Sequence, residues 1–234
     1  MTAQTKFFTP RTIVQLVLVL VVMPLLPMII SGAWGWWEAW IYAGVSFFGF
    51  VVSRRLASRR HPDILAERAR SMGLENAKSW DKILAPSMAL GSVMPLAVAG
   101  MDKLFGWTGI DPFGLAVKII SLIVILLGYV LGSWALVENK FFSGVVRIQN
   151  DRGHHVVTTG PYRFIRHPGY SGSLLVYLMT PLFLDSLWAF IPTVLLVGIV
   201  FLRTSLEDRT LQDELPGYKE YAQKAHYRLL PGIW

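Results

Sequence analysis

Apolar residues fall in long, nearly unbroken runs along this chain, separated by short polar stretches. A helix that crosses the hydrocarbon core of a bilayer needs about 20 such residues, with a range of roughly 17–25. Residues 12–30, 36–53, 83–100 and 115–137 fit that length. Residues 168–184 and 187–202 form two more runs, separated only by Asp185 and Ser186, a link short enough to demand two antiparallel helices. The pattern predicts an all-α integral membrane protein with about six transmembrane helices. Pro86, Pro95, Pro181 and Pro192 sit inside these runs or near their ends, where neighbouring helices can re-satisfy the freed carbonyls. Glycines at 44, 49, 91, 128 and 132 would let helices approach closely. The first run follows Lys6 and Arg11 as a signal peptide would. It is long, carries Pro24 and Pro27 and lacks a small-residue cleavage site, so it reads as a retained span.

Composition agrees with lipid as the solvent. Charged residues make up 16% of the 234, against about 25% in an average soluble domain, and mean hydropathy is +0.47. The absence of cysteine excludes disulfides, thiolate nucleophiles and Cys-ligated metals. The net charge of +7 is explained by topology, with no nucleic-acid partner required. With six spans and the N-terminus inside, 20 of the 22 Lys and Arg residues fall on one face, leaving Lys103 and Lys118 for the other. Such residues gather on the cytoplasmic side. Trp34, Trp36, Trp37, Trp40, Trp107 and Trp188 cluster near the opposite ends, as an interfacial aromatic belt does. This places the termini and the large polar loops in the cytoplasm. Residues 1–137 form an N-terminal set of four spans. Within it, residues 54–82 read as an interfacial basic segment whose arginines meet anionic headgroups. Residues 138–234 hold a connector, a helical hairpin and a helical tail.

The nucleotide-binding glycine motifs and the H-E-x-x-H and G-x-S-x-G patterns are all missing. Polar chemistry gathers in two places instead. Residues 154–172 read HHVVTTGPYRFIRHPGYSG. Thr158-Thr159-Gly160-Pro161 is a turn signal and Arg166-His167-Pro168 a second break, so this is a folded connector rather than a plain loop. It offers imidazole, phenol, guanidinium and backbone groups to a polar cofactor. His154, His155 and His167 lack the fixed spacing of a metal triad, and no metal is expected. The second place is the end of the last run, where Arg203 and Glu207 stand four residues apart and share a helix face. That spacing fits a salt bridge, and equally a pair in which Arg203 meets an anionic substrate and Glu207 a cofactor. Asp208, Asp213 and Glu214 read as solvated face residues.

The string H-x-V-V-T-x-G-P-Y-x-x-x-R-H-P-x-Y-x-G at residues 154–172 resembles the signature of the isoprenylcysteine carboxyl methyltransferase family, a group similar to the phospholipid methyltransferases. The likeness continues through Arg203-Thr204-x-x-Glu207 and Gly217-Tyr218-x-x-Tyr221 to Arg228-Leu229-Leu230-Pro231, about the last hundred residues. It implies an integral membrane methyltransferase. S-adenosyl-L-methionine would be the methyl donor, S-adenosyl-L-homocysteine the product, and the acceptor a lipidic or apolar carboxylate such as isoprenylcysteine. Carried over position by position, it implies cofactor contacts at Gln149, His154, His155, Val156, Val157, Tyr162, His167, Pro168, Gly169, Tyr170 and Glu207. It implies a catalytic, substrate-binding role for Arg203. His155 departs from the apolar or small residue usual there. Transfer from a sulfonium to a carboxylate needs no general base, which leaves the protein the tasks of positioning and water exclusion. Three alternatives remain: an NADPH-dependent membrane sterol-type reductase, a membrane sensor or accessory protein that keeps the fold without being an enzyme, and a methyltransferase acting on a phospholipid amine or a thiol.

Overall fold

The computed structural model describes residues 14, 16–71 and 77–234. Among them there is no strand, and a single parallel bridge joins Ile165 to Tyr227. Six longer helices follow the six apolar runs: α1 (Leu18–Ser31), α2 (Trp37–Arg60), α4 (Asp81–Phe105), α5 (Gly114–Glu138), α6 (Pro168–Phe183) and α7 (Phe190–Glu214). Two short helices complete the order, α3 (Ile64–Ser71) between α2 and α4, and α8 (Tyr218–Lys224) after α7. By length and apolar composition, α4, α5 and α7 can each cross a membrane. The start of the first expected span, Lys6, Arg11 and residues 72–76 lie outside the described residues.

Local chemistry explains the boundaries. The first turns of α1 widen into a π-helical stretch, Leu18–Val22, just before Pro24 and Pro27. Proline leaves carbonyls without an N–H partner, and widened turns accommodate that. Gly32 and Gly106 end α1 and α4 in the left-handed region, at φ +66° and +67°. A glycine takes that conformation without a Cβ penalty. Pro168 opens α6 at its first turn, where a missing N–H costs nothing.

Two boundaries differ from the sequence reading. Helix α2 does not stop at residue 53. It continues through Arg54, Arg55, Arg59 and Arg60 to the His61-Pro62 break, because no residue before proline interrupts it. Of the basic segment 54–82, residues 54–60 are thus the last two turns of α2, residues 64–71 form α3, and Asp81 and Lys82 open α4. Likewise α7 runs twelve residues past Leu202 to Glu214, so Arg203, Glu207 and Asp208 are helical and held in register by one continuous helix.

The tightest packing is between α5 and α6. A Cβ on Gly128 would lie 2.6 Å from the Gly172 carbonyl, and one on Gly172 would lie 2.5 Å from the Gly128 carbonyl. Only backbones stripped of side chains approach this far. At the end of the bundle away from the connector, Trp107 packs against Trp188 at 5.9 Å and Trp34 against Trp40 at 6.4 Å. There Asp102 accepts from Thr108 N–H at 2.8 Å and from Ser186 Oγ at 2.5 Å. Lys118 joins Glu38 at 2.7 Å, Asp111 at 2.6 Å and Asp185. Both clusters tie the α6–α7 tip to the α4–α5 loop.

Candidate active site

The polar connector, residues 139–167, folds over the opposite end of the bundle in two 3-10 turns, Asn150–Arg152 and Gly160–Arg163. Gly160 sits at φ +58° and a Cβ there would lie 2.8 Å from Glu138 Cγ, so the turn requires glycine. The C-terminal strip clamps the connector from outside. Arg166 N–H donates to Tyr227 O and His167 N–H to Arg228 O, each at 2.9 Å.

Beneath the connector lies a cavity of about 580 Å³, within the usual size range of ligand sites. Gln149, His154, His155, Val156, Val157, Tyr162, His167, Gly169, Tyr170, Arg203 and Glu207 all line it. Of the expected site residues, Pro168 alone does not. It is buried as the first residue of α6, and its ring starts the helix rather than facing the cavity. The wall also takes Ser53 and Arg54 from α2, Met88 from α4 and Tyr129 from α5, so both sides of the expected 137/138 boundary contribute.

Several groups are committed to the protein itself. Gln149 is buried: Nε2 donates to Phe141 O at 2.7 Å, and Oε1 accepts from Arg152 Nη1 at 2.5 Å. Its side-chain amide thus braces the connector. His154 Nδ1 accepts the Gln149 N–H at 3.2 Å, and its ring lies 4.4 Å from that of Phe141. Burial, then the charges of Arg147 and Arg152 and the neighbouring His155, holds the His154 imidazole down at about 4, so it is neutral near pH 7. His155 is exposed and meets Phe141 edge-on. Tyr162 receives Asn139 Nδ2 on its hydroxyl at 3.2 Å, and its carbonyl accepts from Tyr221 O–H at 2.7 Å. Burial raises the Tyr162, Tyr218 and Tyr221 phenols far from ionisation.

The second polar block does not form the i,i+4 salt bridge that its spacing allows. Arg203 turns instead to Asp81 at the start of α4. Its Nε donates to Oδ1 at 2.7 Å and its Nη2 to Oδ2 at 3.0 Å, and Nη2 also reaches Gly144 O at 2.9 Å. Among the described residues, Nη1 has only the Met88 sulfur, at 4.0 Å. Glu207 accepts from the Tyr170 hydroxyl at 2.7 Å. Asp208, expected on a solvated face, is fully buried. Arg166 at 2.9 Å, Arg228 at 2.9 Å, His167 at 3.3 Å and Tyr218 at 3.1 Å all converge on it. A helix rotates 100° per residue, so Glu207 faces the cavity while its neighbour faces the clamp. Asp213 stays exposed, and Glu214 pairs with Lys78 at 2.6 Å near the surface.

Sequence reasoning missed Asp81 and Asp208. The available signal for Asp81 was an ionisable residue at the lip of an apolar run. For Asp208 it was only the pair of motif cations, Arg166 and Arg228, in need of an anion.

These elements define an apolar helical bundle carrying a ligand-sized cavity, lined by both polar and apolar groups, at its connector end. Residues 120–213 match the family model of the "Isoprenylcysteine carboxyl methyltransferase (ICMT) family", the family that the motif resembles. Over 121 residues the chain is 34% identical to a "Probable protein-S-isoprenylcysteine O-methyltransferase" of Oryza sativa subsp. indica, and equally to that of subsp. japonica. Each match covers 47% of this chain and 59% of the relative. Over 56 residues it is 36% identical to "Protein-S-isoprenylcysteine O-methyltransferase B" of Arabidopsis thaliana, covering 24% of this chain and 28% of that one. The chain thus spans under two thirds of the length of the curated relatives it matches.

Proposed function

We propose that this chain is an S-adenosyl-L-methionine-dependent integral membrane methyltransferase whose acceptor is a lipidic or amphiphilic carboxylate such as isoprenylcysteine. The observation that carries the reading is one cavity lined both by the connector motif and by Arg203 and Glu207. In this reading all six long helices cross the bilayer, with both termini and the connector cytoplasmic.

The lining fits such a cofactor. Val156, Val157 and the neutral His154 ring offer an apolar wall suited to a purine. Among the described residues Glu207 accepts one hydrogen bond, from Tyr170, leaving its remaining lone pairs for the ammonium or ribose hydroxyls. Bound there, the cofactor supplies an electrophilic methyl group on a sulfonium. The chain's own work is to hold and shield. Tyr170 fixes the Glu207 carboxylate, and Asp81 and Gly144 fix the Arg203 plane so that Nη1 is left for the acceptor. The connector covers the cavity from water, where positioned dipoles act more strongly than in bulk solvent. A carboxylate acceptor attacks without losing a proton, so no general base is assigned.

Calorimetric titration of detergent-purified protein with S-adenosyl-L-homocysteine tests the reading. Saturable binding with one site per chain is expected. Folded protein that binds NADPH and ignores S-adenosyl-L-homocysteine would overturn it.

A further inference from the structure

Arg54 lines the same cavity and has no part in the reading above. Helix α2 turns one side to the cavity through Ser46, Gly49, Phe50, Ser53 and Arg54, the spacing of a single helix face. The other arginines of its last turns behave differently. Arg55, Arg59 and Arg60 are exposed, and Arg60 pairs with Glu138 at 3.0 Å. Those three suit a headgroup layer. Arg54 turns to the cavity instead: its Nη1 donates to Ser53 Oγ at 3.1 Å, and its guanidinium lies over the Phe50 ring at 4.2 Å. Among the described residues it forms no ion pair.

Arg203, the expected holder of an anionic acceptor, is already neutralised by Asp81. It can offer an oriented hydrogen bond but little net charge. Arg54 keeps its full charge, because a guanidinium does not deprotonate in proteins. A desolvated cation without a counter-charge is costly to maintain, and a cavity wall that keeps one is suited to an anion. Arg68 of α3 lines the cavity too, over the Phe142 ring at 5.4 Å.

We propose that Arg54 binds the anionic group of the methyl acceptor, which is therefore an anionic amphiphile rather than an amine. This rests on the methyltransferase reading. It divides the labour between two arginines: Arg203 orients through a fixed hydrogen bond, and Arg54 supplies uncompensated charge. Carboxylate and phosphate share the chemistry that a guanidinium recognises, and the same wall repels a cationic acceptor.

The test uses the full chain in detergent, saturated with S-adenosyl-L-homocysteine. It is titrated with four farnesyl thioethers that differ only in head: carboxylate, phosphate, carboxamide and primary amine. A charge-assisted hydrogen bond predicts that one or both anions bind at least about tenfold tighter than the carboxamide, with the amine weakest. Whichever anion leads identifies the head. In Arg54→Gln that advantage should disappear while S-adenosyl-L-homocysteine affinity stays within about twofold, which also reports an intact fold; Arg54→Lys should recover part of it. An anion preference that survives Arg54→Gln, or a wild-type protein with no preference, overturns the proposal. Wild-type protein that fails to bind S-adenosyl-L-homocysteine overturns the methyltransferase reading itself, and this proposal with it.

Discussion

Arg203 and Asp81 meet in a two-pronged ion pair, 2.7 and 3.0 Å, across 122 positions of sequence. Both side chains are almost completely buried. The pair fastens the start of α4 to the middle of α7, and Asp81 Oδ2 also accepts the Val146 N–H of the connector at 2.6 Å. One carboxylate thus sets three elements around the cavity.

Removing that carboxylate strands a buried cation. Asp81→Asn should lower stability by about 3 kcal/mol or more, as breaking one side of a buried pair does. Thermal unfolding in detergent measures it. The double variant Asp81→Asn/Arg203→Met should recover part of the loss, and a purely additive result would show that the two side chains do not depend on each other.

Adjacent acids on α7 should give opposite phenotypes. Glu207→Gln leaves its Tyr170 partner hydrogen-bonded and should weaken S-adenosyl-L-homocysteine binding by about tenfold or more, with little change in unfolding temperature. Asp208→Asn leaves Arg166 and Arg228 without a counter-charge and should destabilise the fold by about 3 kcal/mol. Calorimetry and thermal unfolding on both variants separate the roles. Equal loss of binding and stability in each would contradict the assignment.

Acid should loosen the connector through His154. Its folded pKa is depressed to about 4 by burial and by nearby positive groups, below the ordinary value of about 6.5. Between those values the unfolded chain binds more protons, so stability is complete above about pH 6.5 and declines as pH falls toward 4. The Arg152 guanidinium holds the Asp63 carboxyl below the usual carboxylate range, so its contribution is lost in a lower window. The unfolding temperature of His154→Gln, followed from pH 7.5 to 4.5, should slope less than that of wild type. Parallel slopes would locate the acid sensitivity elsewhere.

Helix contact at Gly172 should tolerate no side chain. Gly172→Ala puts a methyl 2.5 Å from the Gly128 carbonyl and should cost about 1–3 kcal/mol through overpacking. Gly44→Ala, where a Cβ meets nothing within 4 Å, should be neutral or slightly stabilising. An unfolding temperature unchanged in Gly172→Ala would mean that α5 and α6 can separate at little cost.

Much of this protein was legible in its sequence because the determining physics is local. A run of apolar residues must satisfy its backbone internally, so the six runs became six helices. Gly160-Pro161 and His167-Pro168 restrict their own backbone, so the connector and the start of α6 fell where expected. Eight of the eleven expected site residues that line the cavity fall in the motif, which runs through one folded connector into α6. Helix ends inside basic sequence were less legible, since arginine carries a helix onward as readily as leucine does.

What the sequence could not decide was which partner each charge takes. Spacing offered Arg203 the carboxylate of Glu207, one turn away, but the fold brought Asp81 closer and in better geometry. Spacing offered Asp208 to solvent, but the C-terminal strip delivered Arg228 to it beside Arg166. A helix periodicity states which residues share a face. Only the packed bundle states what that face meets, because burial and long-range pairing depend on elements far apart in the chain. The sequence determined the helices, the connector and the connector's share of the cavity wall, and the tertiary structure added the residues of α2, α4 and α5 and assigned the charges.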